Sequence, residues 1–393
     1  MKPEYLFKAG WRVFFLAAGV WAVISVAIWT VWLTGLAQGD SITGVAPQLW
    51  HAHEMIFGYA AATLGGFFLT AVPNWTGAKA APERFVMLVA GLWLAGRLAV
   101  CLAGMLPAAV VAAVDLAFLP VLAAKVLTQL MARPKAQNMM FLLLITMTWI
   151  GNLLVHLEWM GLADTEWQGL RGGLLAICAM IAVLGGRITP AFTRNAMLRA
   201  GIDETRMPVS HRWLDLPGSV LPVLLALAVL VGAPDALSGT LAVLAGLFAA
   251  ARLTGWRALA LPGEPIVWAL HLGYGLLALG LAVWGLALLG LGSELGALHI
   301  LGIGAIGGMT LAVMSRASLG HSGRALIAPL PVAIAYGLIP VAVALRWAGS
   351  AFPASFYLPG MIGAGLVWCL AFALYLGALG PIFFAPRPDG GAA

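Results

Sequence analysis

Two histidines, His51 and His53, lie one residue apart in the segment WHAHEM (residues 50–55). Imidazole nitrogens bind iron and copper, and imidazole readily exchanges protons near neutral pH. Positions i and i+2 of a helix point about 200° apart, so the two rings are predicted to face different directions. His51 then shares a face with Glu54, whereas His53 shares an apolar face with Phe57 that suits a flat macrocycle. We therefore predict that this helix serves two centres, one a haem and one a copper ion. The alternative is an interfacial helix start whose imidazoles bond to backbone and water.

The remaining histidines can be sorted by their depth along apolar segments of the chain. Those predicted near the outer ends of such segments, and therefore the candidate metal ligands, are His51, His53, His156 and His299. Those predicted near the inner side are His211, His271 and His321. A satisfied hydrogen bond between helices is the alternative role for an isolated histidine such as His156.

A run of glycines follows His299 and leaves one flank of its helix nearly bare: Gly302, Gly304, Gly307 and Gly308. A bare flank lets either a neighbouring helix or a porphyrin plane approach closely. Helix packing explains the glycines equally well, but it does not explain an imidazole at the head of the flank.

Arg97 lies deep in an apolar segment, where a charge costs roughly 2.5–3.5 kcal/mol on insertion scales. It is therefore expected to have a partner, either a haem propionate or the carboxylate of Asp115. Arg171 is a second candidate for a propionate, with the role of an outer-surface anchor as the alternative. The candidate cofactor-binding residues are thus His53, His299, Arg97, Arg171, His271 and His321.

The composition defines the class of protein around these residues. Of the 393 residues 62% are hydrophobic and only 9% are charged, whereas a soluble domain has roughly a quarter charged residues. A water-soluble fold is excluded. The formal charge of +6 comes from basic residues between apolar runs rather than on one stripe, so it indicates membrane topology and no nucleic-acid partner.

Twelve stretches are long enough to cross a bilayer core, which needs about 20 apolar residues per helix. We therefore predict an all-α polytopic membrane protein, a single transmembrane domain over residues 1–393. The predicted spans are approximately 12–36, 49–72, 84–106, 108–130, 139–161, 168–189, 216–232, 234–256, 266–290, 294–316, 326–348 and 355–379. The longest polar stretch, an inner loop at about 189–215, is too short for a separate domain, and Pro190 is expected to end the sixth helix.

The distribution of basic residues predicts the orientation. With both termini in the cytoplasm (N-in and C-in), 18 of the 21 lysines and arginines fall on or near the inner side, as the positive-inside rule requires. The residues left for the outer half are Arg97, Arg171 and Arg346.

Three blocks of sequence resemble the NnrS family: WHAHEMIFGYAAATLGGFFLTAVPNWTG (50–77), GGRITPAFTRN (185–195) and GMTLAVMSRASLGHSGR (308–324). The resemblance implies a twelve-helix protein of the bacterial inner (cytoplasmic) membrane, which carries haem (taken as haem b) and copper. It also implies a role in the response to nitric oxide and nitrosative stress. The residues to which it extends a cofactor role are His51, His53, His299 and His321.

Nitric oxide is then the expected ligand, bound or reduced at a haem or copper site within the lipid bilayer. Reduction, as in a nitric oxide reductase-like oxidoreductase, would need electrons from a partner donor and protons from nearby carboxylates. The candidates for this catalytic role are Glu54, Glu158 and Glu294. Two alternatives remain open: a transporter of metal ions or small solutes, and a non-catalytic sensor or assembly factor that reports on nitric oxide.

Overall fold

The computed structural model describes residues 2–35, 43–388 and 390, and its regular elements are all helical. Twelve of its helices are long and apolar enough to cross a membrane. They are α1 (Gly10–Leu33), α2 (Pro47–Thr76), α3 (Glu83–Cys101), α4 (Ala108–Leu130), α5 (Ala136–Trp159), α6 (Glu166–Arg199), α7 (Arg212–Leu230), α8 (Asp235–Thr254), α9 (Pro265–Leu288), α10 (Glu294–His321), α11 (Leu330–Ala351) and α12 (Pro353–Phe383). The predicted fold class and the predicted number of spanning helices are confirmed, whereas the orientation remains a prediction.

Most predicted boundaries lie within a few residues of the observed ones, but two need comment. The predicted end of the first span, at Leu36, lies outside the described residues. Pro190 does not end α6, which continues to Arg199, so the predicted loop at 189–215 begins about ten residues too early. One proline removes a single backbone hydrogen bond, and within a membrane protein a continuous helix costs less than exposing several unpaired backbone groups.

The short connection between α7 and α8 depends on a glycine. Gly232 has a φ of 72°, in the left-handed region, and its N–H donates to the carbonyl of Val229 at 3.0 Å. Glycine adopts this conformation without a steric penalty and is common directly after a helix. The hairpin predicted at this position is confirmed.

Three spanning helices, α2, α6 and α10, bury the largest shares of their apolar windows, at 78%, 72% and 72%. The three blocks that resemble the NnrS family lie on these same helices. These helices therefore offer the most protein-enclosed positions, where a polar site within a membrane protein can be stabilised.

The helices form two compact units. The first comprises Met1–Leu174, Ala317–Ala325 and Phe372–Ala393, and the second comprises Leu175–Arg316 and Leu326–Ala371. The expectation of a single transmembrane domain remains a prediction.

Two helices widen into a π-helix immediately after a histidine. In α2 the π-helical segment is Glu54–Ala60, directly after His53, and in α10 it is Ile300–Gly307, directly after His299. Such segments are rare and occur frequently at functional sites, because the extra residue per turn redirects the side chains around it. Both histidines had been selected from the sequence as candidate ligands.

Helix α4 is interrupted between Asp115 and Phe118. Pro120 has no N–H, so it cannot donate to the carbonyl of Leu116 four residues earlier. The indole Nε1 of Trp149 donates to that carbonyl at 3.1 Å instead. The substitute bond stabilises the interruption, and Asp115 is the last helical residue before it.

In the first unit a buried arginine joins the start of α1 to the end of α12. Arg12 is fully buried, and its Nη1 donates to the carbonyls of Ile382, Phe383 and Ala385 at 3.0, 3.1 and 2.8 Å. These carbonyls lie at a helix C-terminus, where the backbone dipole favours a cation.

Candidate metal centre

Four helices of the first unit contribute six polar side chains to one buried network. Each of these side chains is at most 4% exposed. They are His53 and Glu54 of α2, Arg97 of α3, Asp115 of α4, and Asn152 and His156 of α5.

Local sequence explains how these side chains meet. Asn152 and His156 are four residues apart in α5, so they share one face of that helix. Asp115 lies at the interruption of α4 and approaches α3 at Gly96. A Cβ atom at Gly96 would lie only 2.7 Å from Asp115 Oδ1, so glycine is needed for the two helices to be this close.

The carboxylate of Asp115 is at the centre of the network. Its Oδ1 accepts a hydrogen bond from Nη2 of Arg97. Its Oδ2 accepts from Nδ2 of Asn152 at 2.7 Å and from Nε2 of His156 at 2.9 Å, with Nε2 of His53 at 3.4 Å. The partner predicted for Arg97 among the acids of α4 is therefore confirmed.

Glu54 is the second carboxylate of the network. Its Oε1 accepts from Nη1 of Arg97 at 2.5 Å and from Nδ1 of His53 at 3.0 Å. Arg97 thus bridges Glu54 and Asp115, and both terminal nitrogens of its guanidinium contact protein carboxylates. Glu54 had been expected on the face of His51. It contacts His53 and Arg97 instead, and it is the first residue of the π-helical segment.

The hydrogen bonds determine how many protons His53 carries in this network. Its Nδ1 faces the Glu54 carboxylate, which can only accept. Its Nε2 lies 2.8 Å from Oδ1 of Asn152, and this oxygen must also accept because the Asn152 amide nitrogen donates to Asp115. Both ring nitrogens of His53 therefore face acceptor oxygens, an arrangement that favours the doubly protonated ring.

With His53 doubly protonated, the charges cancel within the network. Arg97 and His53 are then positive, whereas Glu54 and Asp115 are negative. Buried charges are stabilised in this way when each is paired and hydrogen-bonded. A divalent metal ion that displaces the second proton of His53 would raise the net charge of the network by one, whereas copper(I) would leave it unchanged.

The network also has the donor set of a metal site. One ligand atom each from His53, Asp115 and His156 lie within 4.8 Å of one another. Two imidazoles and one carboxylate suit copper(II), iron(II) or zinc. Nδ1 of His156 and Oε2 of Glu54 are buried and have no hydrogen-bond partner among the described residues, so the network retains donor atoms for a further ligand. The residues present therefore fit a metal ion.

The family model described as NnrS protein matches residues 5–387. The chain belongs to the NnrS family. It is therefore a multi-pass membrane protein of the nitric oxide response, in a family associated with haem and metal binding. No curated protein matches it.

Aromatic side chains enclose the histidines of this NnrS protein. The Trp159 ring lies 4.9 Å from that of His53 and 5.1 Å from that of His156, and the Phe57 ring lies 5.1 Å from His53. The predicted common face of His53 and Phe57 is confirmed. His51 instead stacks on Trp29, with ring centroids 5.0 Å apart, so the predicted divergence of the two rings of WHAHEM is also confirmed.

Three other candidate residues of the first unit lie outside the bonded network. Oε2 of Glu158 accepts the backbone N–H of Thr165 at 2.7 Å and that of Glu166 at 2.5 Å, which places it at the start of α6. Arg171 lies over the ring of Trp167, at 5.1 Å. The third, His321, stacks against Trp11 with ring centroids 6.5 Å apart.

In the second unit, His299 is held in one tautomer. Its Nδ1 lies 2.7 Å from the carbonyl of Leu295 and so donates to it, which leaves the lone pair of a neutral ring on Nε2. This is the arrangement by which haem- and metal-binding histidines are usually oriented. A Cβ atom placed on Gly302 would have no neighbour within 4 Å among the described residues, whereas one on Gly304 would lie 3.0 Å from Leu276 and one on Gly307 would clash with Trp368. The predicted flank is therefore open only at Gly302, and close helix packing accounts for the other glycines.

His271 and Glu294 have local partners in the second unit. Nδ1 of His271 lies 3.1 Å from the carbonyl of Val267, and its Nε2 lies 3.3 Å from that of Trp256. Oε1 of Glu294 accepts from Nε1 of Trp284 at 3.2 Å. Backbone bonding at both nitrogens supports a structural role for His271.

A second buried polar cluster surrounds Arg252 in this unit. Its Nε donates to Asp215 Oδ1 at 2.8 Å, and its Nη1 donates to the Tyr274 hydroxyl at 2.6 Å and to the carbonyl of Ala182 at 3.0 Å. The arginine charge is thus paired and hydrogen-bonded, which is sufficient to explain its burial.

Sequence reasoning had given no functional role to two residues of the first-unit site. Asn152 lies one turn before the candidate ligand His156, and an amide in that position is a usable signal. Glu166 was not singled out, because an acid at the start of a helix usually complements the helix dipole. Its Oε1 accepts from Nε1 of Trp159 at 2.7 Å.

Proposed function

We propose that the chain binds haem b and copper in the bacterial inner membrane and protects against nitrosative stress by binding or reducing nitric oxide. Copper would be held by His53, Asp115 and His156. The observation that supports this most directly is the convergence of these three donors, each at most 4% exposed, within 4.8 Å of one another. A metal ion held by these residues would supply a Lewis-acidic centre to which a diatomic ligand could bind.

The chain's own residues would orient the donors and exclude water. Glu54 accepts a hydrogen bond from Nδ1 of His53, and Asp115 accepts one from Nε2 of His156, so each carboxylate fixes the orientation of one imidazole. Arg97 in turn fixes both carboxylates. Because the network is buried, these bonds act in a medium of low dielectric constant, where they are stronger than in water.

His299 is the best-supported haem ligand among the candidates. Its bond to Leu295 orients the ring, and a Cβ atom on Gly302, one turn away, would have no neighbour within 4 Å among the described residues. The other sequence candidates for haem, His53, His271, His321, Arg97 and Arg171, have protein contacts that already account for their positions. Protons for any reduction would come from Glu54, whereas electrons would come from a partner protein.

Metal analysis and haem spectra of purified single variants test this proposal. His53→Ala and His156→Ala should each lose copper and retain the haem Soret band, because the donor set is incomplete in either variant. His299→Ala should lose haem and retain copper. His211→Ala is the control, since His211 is exposed in the loop before α7, and it should retain both.

Three results would contradict the proposal. One is wild-type protein that contains neither haem nor copper after expression with both supplied. Another is full copper content in His53→Ala and His156→Ala. The third is a reduced haem spectrum that does not change when nitric oxide is added.

A further inference from the structure

The ring of Trp159 lies against both histidines of the candidate metal centre. Trp159 is the last residue of α5, and its ring contacts the imidazoles of both His53 and His156 at 4.9 and 5.1 Å. The two histidines are 0% and 1% exposed, whereas Trp159 is partly exposed.

The residues after Trp159 lead directly to the protein surface. The connection between α5 and α6 is short, and its Leu162 is 70% exposed. Gly161 turns the chain there with a φ of 71°. The ring of Trp159 thus contacts the buried imidazoles, and its backbone leads directly into the exposed connection.

Hydrogen bonds fix the ring in this position. Nε1 of Trp159 donates to Oε1 of Glu166 at 2.7 Å, and Glu166 is only 8% exposed. The backbone of Glu166 is in turn bonded to Oε2 of Glu158 at 2.5 Å. A bond to a buried carboxylate is stronger than one between neutral groups, so the indole is held firmly.

We infer that Trp159, held by Glu166, covers the His53–Asp115–His156 group and determines how fast metal ions and other small reagents reach it. The inference rests on the proposed metal site for its functional meaning. The covering itself follows from the ring contacts, the burial of the histidines and the bond to Glu166. Opening requires that this bond breaks and that the indole leaves both imidazoles.

Two measurements test this role in the full-length purified protein. The first is the rate at which a copper chelator extracts copper from the loaded protein. The second needs no metal: the rate at which diethyl pyrocarbonate modifies His156 in metal-free protein, read by mass spectrometry. Exposed His211 serves as the internal reference in the second measurement.

The variants separate the ring from its hydrogen bond. Trp159→Ala should accelerate both rates by about tenfold or more, because it removes the ring and its bond to a charged group. Trp159→Phe and Glu166→Gln should each accelerate them by about two- to fivefold, because the ring remains but its bond is lost or weakened. Trp167→Phe is the matched control, since Trp167 is 40% exposed in the first turn of α6, and both rates should match wild type.

The outcomes distinguish this inference from the proposed function. If wild type binds copper but Trp159→Ala and Trp159→Phe leave both rates unchanged, the covering role is wrong and the metal site stands. If wild type binds no metal but His156 is modified faster in Trp159→Ala, the metal proposal fails and the covering role stands. Equal acceleration at His271, which is 5% exposed in the second unit, would indicate general unfolding and would also overturn the inference for that variant, which makes Trp159→Phe the deciding one.

Discussion

Replacing Arg97 by methionine removes the guanidinium that bridges Glu54 and Asp115 while keeping a side chain of similar length. Two buried carboxylates then lose their shared cation, and breaking a buried pair by removing one partner costs about 3–5 kcal/mol. Arg194 provides the contrast. Its ion pair with Glu204 spans 3.8 Å, and the two side chains are 53% and 77% exposed, so Arg194→Met should cost about 0–1 kcal/mol.

The assay is the free energy of unfolding in detergent micelles, measured by titration with a denaturing detergent and followed by circular dichroism. Arg97→Lys should lie between wild type and Arg97→Met, because an ammonium keeps the charge but cannot bond to both carboxylates in the geometry of a guanidinium. Adding Glu54→Gln and Asp115→Asn to Arg97→Met should recover part of the loss, because the uncompensated charges are removed. The reasoning is refuted if Arg97→Met costs no more than Arg194→Met.

Two further substitutions examine the elements that position the site, by the same unfolding measurement. Gly96→Ala should lower the free energy of unfolding by about 1–3 kcal/mol, because the new Cβ meets Asp115. Gly91→Ala on the same helix meets nothing within 4 Å among the described residues, so it should be neutral or slightly stabilising. Equal effects of the two substitutions would contradict the close approach of α3 and α4. Trp149→Phe should lower the free energy of unfolding by about 1–3 kcal/mol, because it leaves the carbonyl of Leu116 without its donor. An unchanged free energy of unfolding would mean that the interruption of α4 does not depend on this bond.

The spanning helices were predictable from the sequence because the bilayer imposes one length and one polarity on every crossing segment. The departures occurred where a local signal competes with this rule. Pro190 is a helix breaker in water, yet α6 continues through it, since a helix within a membrane protein keeps its backbone bonds wherever it can.

Several members of the site were also visible in the sequence, because polar groups in apolar segments are costly and need partners. His53, His156 and Arg97 stood out for this reason, and Asp115 followed as a partner for Arg97. The opposite directions of His51 and His53 followed from helical geometry alone. The NnrS resemblance of three blocks agreed with the family match over residues 5–387.

Tertiary packing decided which of these polar residues meet. Helical periodicity gives the face of one helix but not the helix opposite, so the spacing of His53, Asp115 and His156 could not be read from the chain. The bare surface at Gly96 and the interruption of α4 beside Asp115 place the carboxylate between the two imidazoles. The role of Trp159 also depends on contacts across helices, because an interfacial tryptophan at the end of α5 has the same sequence signature whether it faces lipid or covers a buried site.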